Sequence, residues 1–461
     1  MMNTEDQGTG ADENFCRELA EAAERILGLG PICDSCLGRQ FAMLSTGLTN
    51  VERGRAVKTF LSMASDLSPN GRPLLEKLAP SHRPARLRLG QEVPAETCWV
   101  CLGQMERERL EALAEKAAFA LRNYEYTTFL VGTRMSGLLA ENEELLLADG
   151  GSRWAEPFKS ELNREVGKII SQKNGKEADL RSPDITVHLL LERNDVDLQV
   201  SSLFICGRYR KLVRGIPQTR WPCRECGGSG CPRCNNTGRM YPESVDELVM
   251  DPVIEATRAE DTVFHGAGRE DIDALMLGTG RPFVVEARNP MIRKVDLHLL
   301  KDEINAACAG KVEVSDLSMV GSRKVEELKK AAFEKTYSAL VGFHQPVEEE
   351  KLKSILNDLV GIVQQRTPTR VSHRRADKIR TREVYRADLD QFWGDAARLV
   401  LRCEGGLYIK ELISGDGGRT KPSLAELLGS EAMVRELDVI NVGGESDGKV
   451  TRDTEEDQVQ A

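Results

Sequence analysis

The sequence predicts an α+β protein of two or three domains, and three observations carry that reading. At 461 residues the chain exceeds what one hydrophobic core usually organises. Apolar residues at helical spacing alternate with short β-branched runs along its length. Eight of its twelve cysteines form four Cys-x-x-Cys pairs: Cys33/Cys36, Cys98/Cys101, Cys223/Cys226 and Cys231/Cys234. No apolar run of about 18 residues marks a membrane span. The start, Met1 to Glu13, is polar and acidic rather than a signal peptide. A cytoplasmic protein with no membrane partner is expected, and in that compartment paired cysteines bind metal more often than they form disulfides. The net charge of −10 taken alone argues against a nucleic-acid binder. Exposed charges are screened beyond about 8–10 Å, so their distribution decides.

Residues 1–13 read as disordered. Phe15 to Leu27 has helical spacing and leads into the first knuckle at Cys33/Cys36. Sixty-one residues later Cys98/Cys101 repeats its form, a Cys-x-x-Cys followed by Leu-Gly. Two knuckles at the ends of one segment suit a single tetrahedral Cys₄ zinc site that clips a region over 14–105. The alternatives are unrelated free thiols or a redox pair.

Residues 106–220 form the next expected domain. It comprises a helix over Glu106 to Asn123, a strand over Thr127 to Thr133, a helix over Ser160 to Lys173, and strands over Asp184 to Leu191 and Val196 to Ile205. In the second helix Leu162, Val166, Ile169 and Ile170 fall on one face. From Arg208 to Arg220 there are five basic residues and no acidic one, beside Tyr209 and Trp221. This stretch is either a solvated strand end or an edge where Arg208 and Arg210 meet phosphates. Residues 221–240 hold four thiols within twelve residues, with glycines in the loops. They form a strong structural Cys₄ zinc signal, read as a knuckle that rigidifies the hinge between domains.

The C-terminal domain is expected over 241–443, with an acidic disordered tail at 444–461. It opens on a stretch from His265 to Pro290 in which glycines, Asp271, Asp273 and arginines precede an apolar strand. Strands are expected over Val312 to Leu317 and Lys335 to Phe343, and helices over Val325 to Glu334 and Lys351 to Gln365. From Arg366 to Arg386 eight Lys/Arg face two acidic residues, a local reversal on an acidic protein. Flanked by strands, this reads as a finger gripping a phosphate backbone through Arg370, Arg374 and Arg375, or else as a solvated face. The strand Arg398 to Arg402, the motif Gly406-Leu-Tyr-Ile-Lys-Glu-Leu-Ile-Ser-Gly-Asp, and the segments Leu424 to Leu428 and Ala432 to Val442 complete the domain.

The glycine-rich stretch matches neither a Walker loop nor a complete Gly-x-Gly-x-x-Gly. Asp271 and Asp273 lack a third carboxylate or histidine for a metal site, and no Ser-His-Asp or Cys-His arrangement is apparent. Gly268-Arg-Glu-Asp-Ile-Asp with Met276-Leu-Gly-Thr-Gly-Arg-Pro-Phe instead resembles the nucleophile motif of pseudouridine synthases of the Pus-ten type, found in archaea and animals. Lys335-Thr-Tyr-Ser-Ala-Leu-Val, the Thr-Pro-Thr-Arg-Val-Ser-His-Arg-Arg-Ala-Asp finger, the Gly406 motif and Arg208-Tyr-Arg-Lys-Leu-Val-Arg-Gly-Ile-Pro-Gln-Thr-Arg-Trp-Pro-Cys are similar to its other signatures. The likeness runs from about residue 30 to 443. Where that family often has Val-Arg after its second aspartate, this chain has Ala274-Leu275.

The resemblance implies a THUMP-containing zinc-binding N-terminal half and a catalytic domain with a mixed, mainly antiparallel sheet. It also implies isomerisation of uridines 54 and 55 of tRNA to pseudouridine, with Asp271 as nucleophile. Attack at C1′, addition to C6 and a glycal route all need that carboxylate ionised, and Lys410 is the expected ion-pair partner, with Arg269 next in line. Tyr337 would stack on the target base, Tyr408 would pack against it from another strand, and Leu437 would wall the pocket. Asp273 would brace the loop. Structural zinc is expected, no metal or organic cofactor enters the chemistry, and a monomer is expected. A tRNA methyltransferase or thiouridine synthase would need a cofactor or pyrophosphate loop that this sequence lacks. A non-catalytic zinc-stabilised RNA-binding protein is the other reading.

Overall fold

The computed structural model describes residues 9–67, 71–90, 93–135, 137–331, 333–373 and 376–443. The expected tail at 444–461 lies outside these. The chain divides after Ser201 into two compact units.

The first unit opens with a helix over Thr9–Gly28, so residues 9–13 are helical rather than disordered. The sheet comprises β1 (Thr128–Thr133), β2 (Glu177–Ala178), β3 (Ile185–Leu190) and β4 (Asp195–Val200), in the order β2-β1-β3-β4. β1 runs parallel to β3, and β4 antiparallel to it. Helices Arg107–Leu121 and Phe158–Asn174 bury Leu113, Ala117, Leu162, Val166 and Ile170 in the same core as Phe129, Val131 and Val187. Period-four apolar spacing and period-two alternation thus meet in one layer of helices on a sheet.

The second unit carries a ten-stranded sheet. Its strands are β5 (Leu203–Lys211), β6 (Asp261–Gly266), β7 (Met276–Arg288), β8 (Val312–Val320), β9 (Lys335–Phe343), β10 (Gly361–Arg366), β11 (Ile379–Phe392), β12 (Ala396–Cys403), β13 (Thr420–Lys421) and β14 (Ala432–Val442). The order is β13-β10-β11-β12-β9-β14-β7-β5-β8, with β6 also on β7. β14 lies between β9 and β7, antiparallel to the first and parallel to the second. The sheet is therefore mixed and mainly antiparallel. Helices Val245–Thr257, Leu297–Ala307 and Glu349–Leu359 contribute Val249, Val253, Ile304, Leu352 and Leu356 to the core beneath it.

Five expectations need correction. The strand expected over Val196 to Ile205 is two strands in different sheets, β4 and β5, broken at Ser201 and Ser202. The division therefore falls at Ser201 and not at 220, because β5 pairs with β7 and β8. The knuckle at 221–240 accordingly belongs to the second unit rather than standing between two domains. The helix expected over Lys351 to Gln365 stops at Leu359, and Gly361, at φ +121, turns the chain into β10. Finally, Tyr408 caps a short helix, Ile409–Ser414, that contains Lys410, so neither residue lies on a strand.

Candidate active site and metal centres

The loop between β6 and β7 presents Asp271. Its Oδ2 lies 3.1 Å from Lys410 Nζ and 4.0 Å from an Arg370 guanidinium nitrogen. Lys410 also reaches Asp273 at 3.3 Å, so one ammonium bridges both carboxylates. Partial burial opposes ionisation of Asp273, but the Lys410 charge and hydrogen bond outweigh it and hold this carboxyl below its usual range. The Asp271 side chain stays 42% exposed, open to a ligand. Arg269 does not share this role: its guanidinium lies over the Trp221 ring, 5.7 Å from the centroid.

Two aromatic residues flank the pair. Tyr337, on β9, is buried, and burial pushes its phenol well up, with the Asp271 charge adding in the same direction. Tyr408 is held by Gln365, which accepts from its backbone N–H at 2.8 Å and donates to its carbonyl at 3.0 Å. The Arg370 guanidinium lies 5.7 Å above the Tyr408 ring and donates to Glu411 at 2.7 Å. Leu437, on β14 opposite Ala339, packs against the core of the unit. In the finger, Arg366 pairs with Asp377, which also accepts from Arg419 at 2.9 Å. Arg374 and Arg375 lie outside the described residues.

The basic stretch at 208–220 is engaged by partners within the fold, with Arg210 and Arg220 still exposed. Arg208 donates to the carbonyls of Thr279, Gly280 and Val442 at 2.6–2.9 Å. Arg210 pairs with Glu313 and Arg220 with Glu247. Arg214 donates to the Asp273 carbonyl at 2.5 Å and pairs with Asp438 at 2.7 Å. Lys211 is fully buried and donates to the carbonyls of Ile216, Asp271 and Ile272. Burial lowers its pKa, against the opposing charges of Glu270 and Asp273.

Sequence reasoning missed a second buried group beside the nucleophile candidate. Glu270 accepts from the Tyr209 hydroxyl at 2.9 Å and from Arg281 Nε at 2.9 Å, and both ionised side chains are essentially without exposure. Gln218 ties the Tyr209 hydroxyl to the Gly268 carbonyl. The signal was available: β5 alternates inward from Leu203 and Ile205 to Tyr209 and Lys211, so a lysine at an inward position announces a buried charge. Gly278, in β7, has a packing role: a Cβ there would sit 1.8 Å from the Ile440 carbonyl oxygen, so this glycine admits β14 alongside β7.

Both cysteine quartets assemble. Within Cys33, Cys36, Cys98 and Cys101, and within Cys223, Cys226, Cys231 and Cys234, the sulfurs lie within 4.8 Å of one another. Measured Sγ–Sγ separations of 3.7–3.9 Å match the edge of a tetrahedron with 2.3 Å metal–sulfur bonds, about 3.8 Å. Either quartet could therefore hold a metal ion. Near the first, Arg39 is fully buried, none of its three guanidinium nitrogens has a hydrogen-bond partner, and it lies in the field of Cys36, Glu143 and Glu161. The second is wrapped by backbone donors: Gly230 N–H to Cys226 Sγ, and Cys231 and Gly238 N–H to Cys234 Sγ, each 3.2 Å.

Comparison with known proteins is consistent from end to end. The family model "Pus10, C-terminal" matches residues 204–443 and "Pus10 THUMP domain, archaeal" matches 113–189. The protein named tRNA pseudouridine synthase Pus10 of Methanothrix thermoacetophila is 64% identical over 96% of this chain and 98% of its own length. That of Halorubrum lacusprofundi is 44% identical over 93% and 97%. Among solved structures, a Cbf5-Nop10-Gar1 complex aligns at 22% identity over 43% of this chain and 44% of its own, with a TM-score of 0.28, too low to carry a fold argument. The first of these boundaries falls one residue into β5, where the sheet of the second unit begins. By the extent of these matches, the chain belongs to the Pus10 family.

Proposed function

We propose that the protein is a tRNA pseudouridine synthase, an isomerase acting on uridines 54 and 55 of tRNA with Asp271 as its nucleophile. The observation that carries this reading is the exposed Asp271 carboxylate paired with Lys410 at 3.1 Å. The names of full-length relatives support the reaction class. In the reaction the C1′–N1 bond breaks and a C1′–C5 bond forms. The C5 hydrogen leaves as a proton and N1 gains one, so nothing is consumed. Lys410 pairs with the carboxylate and orients it, and Asp273 on the same ammonium braces the loop.

Tyr337, buried on β9, and Tyr408, part-exposed, would meet the target base, and Leu437 would form the apolar wall of the pocket. Stacking contributes roughly 1–3 kcal/mol per base and offsets part of the few kcal/mol needed to extrude a nucleotide. Arg370, beside Tyr408, with Arg374 and Arg375 would meet the RNA backbone. Each cysteine quartet would hold a structural zinc ion, which supplies folding free energy and takes no part in the chemistry. The protein would work in the cytoplasm; among the described residues no helix is long and apolar enough to cross a membrane.

The test incubates the protein with an unmodified tRNA transcript and reads pseudouridine by carbodiimide-dependent reverse-transcription stops. Stops at positions 54 and 55 are expected with wild type and none with Asp271→Asn. Unchanged uridines with wild type, or full activity in Asp271→Asn, overturn the reading.

A further inference from the structure

Three consecutive carbonyls, those of Asp271, Ile272 and Asp273, are each bound by a cation from one short segment. Lys211, at the end of β5, takes the first two at 3.1 Å each, and Arg214 takes the third at 2.5 Å. The third N–H of the Lys211 ammonium goes to the Ile216 carbonyl at 2.9 Å, so all three of its donors are satisfied. Gly215 N–H adds a second bond to the Ile272 carbonyl. Beyond these, the Leu275 N–H donates to buried Asp438, the partner of Arg214. On the other side, Glu270 is locked by Tyr209 and Arg281.

We infer that Lys211 is a positioning residue for Asp271: its buried ammonium fixes the backbone from which the carboxylate is presented to Lys410 and to the substrate. The inference rests on the nucleophile reading given above. A fully buried lysine is rare unless paired, and here its partners are backbone carbonyls, two of them in the loop that must hold still. An apolar replacement leaves those carbonyls short of a donor and lets the loop settle elsewhere. A displacement of about 1 Å at a reacting group costs on the order of 100-fold in rate. With no exposed surface, Lys211 cannot touch RNA, so substrate affinity should not register its loss.

The experiment compares wild type, Lys211→Met and Asp271→Asn in single-turnover isomerisation of a tRNA transcript, with tRNA binding measured separately. Lys211→Met should slow the chemical step about 100-fold while its Kd for tRNA stays within about threefold. A rate within about threefold of wild type, or a rate loss matched by an equal loss of affinity, overturns the positioning role. An inactive Asp271→Asn beside a fully active Lys211→Met sinks this inference alone. An active Asp271→Asn sinks the nucleophile reading and the positioning role with it. Should Lys211→Met fail to fold, by circular dichroism and metal content, the part-exposed Arg214→Gln decides. It should slow the step about tenfold at unchanged affinity, and an unchanged rate overturns the proposal.

Discussion

The two cysteine quartets each bring four thiols within 4.8 Å of one another, yet they are built in opposite ways. In the first, sixty-one residues separate the knuckles, and Cys36, Cys98 and Cys101 belong to the hydrophobic core of the first unit. In the second, all four ligands fall between 223 and 234, and none joins a core. Closing a long loop removes more entropy from the unfolded chain than closing a short one. Burying a metal tetrathiolate, net −2, also demands a counter-charge, less so where ligands such as Cys226 and Cys231 stay part-exposed to water. Arg39 meets that demand in the first quartet, and backbone N–H groups suffice in the second. One ligand set can thus be a keystone or a local staple, depending on what surrounds it.

The largest test of this contrast is Cys98→Ser. If the quartets hold metal as proposed, it should remove one of about two metal equivalents per chain and, with it, the cooperative unfolding of the first unit, a loss on the order of 10 kcal/mol. Elemental analysis and thermal melts read both, and an unchanged melt breaks the comparison. Arg39→Met should speed chelator-driven metal release from the first quartet at least tenfold and leave the second as an internal control. Equal release from both would mean the guanidinium is no counter-ion.

Glu161, buried beside Ser35 and Arg39, sharpens the contrast through pH. Burial raises its carboxyl to about 7, so between its usual range and pH 7 the folded state binds a proton that the unfolded state does not. Stability is then full below about pH 4.5 and falls as pH rises towards 7, by at most ~3 kcal/mol. Glu161→Gln should flatten that slope in denaturant melts at pH 5 and 8, and a slope that survives the substitution points to another group. The smallest effect belongs to Cys231→Ser. It should lose one metal equivalent while the main melt of the second unit shifts by no more than about 1–2 kcal/mol.

Much of this was legible because the pattern was local. The amphipathic helix Phe158–Asn174 buries Leu162, Val166 and Ile170 as its spacing required, and β9 spans the expected Lys335 to Phe343. Asp271 and Lys410, 139 positions apart in the sequence, do meet. What stayed hidden depended on distant acceptors. Nothing in the run of arginines announces that the Val442 carbonyl, Glu313 and Asp438 arrive from other strands to bind it. The break at Ser201 was hidden for a related reason: β4 and β5 each look like the continuation of the other until their pairing partners are known.

The position of β14 has a consequence for how the molecule is made. This strand is the seam of the sheet, joining β9 with the strands beyond it to β7 with its neighbours, and it also supplies Asp438 to the Asp271 loop. A nascent chain that has left the ribosome only as far as Gly429 holds every side chain of the candidate site but Leu437, yet has two half-sheets and no seam. Translation must run through Val442 before the two half-sheets are joined and the Leu275 end of the Asp271 loop acquires its Asp438 anchor.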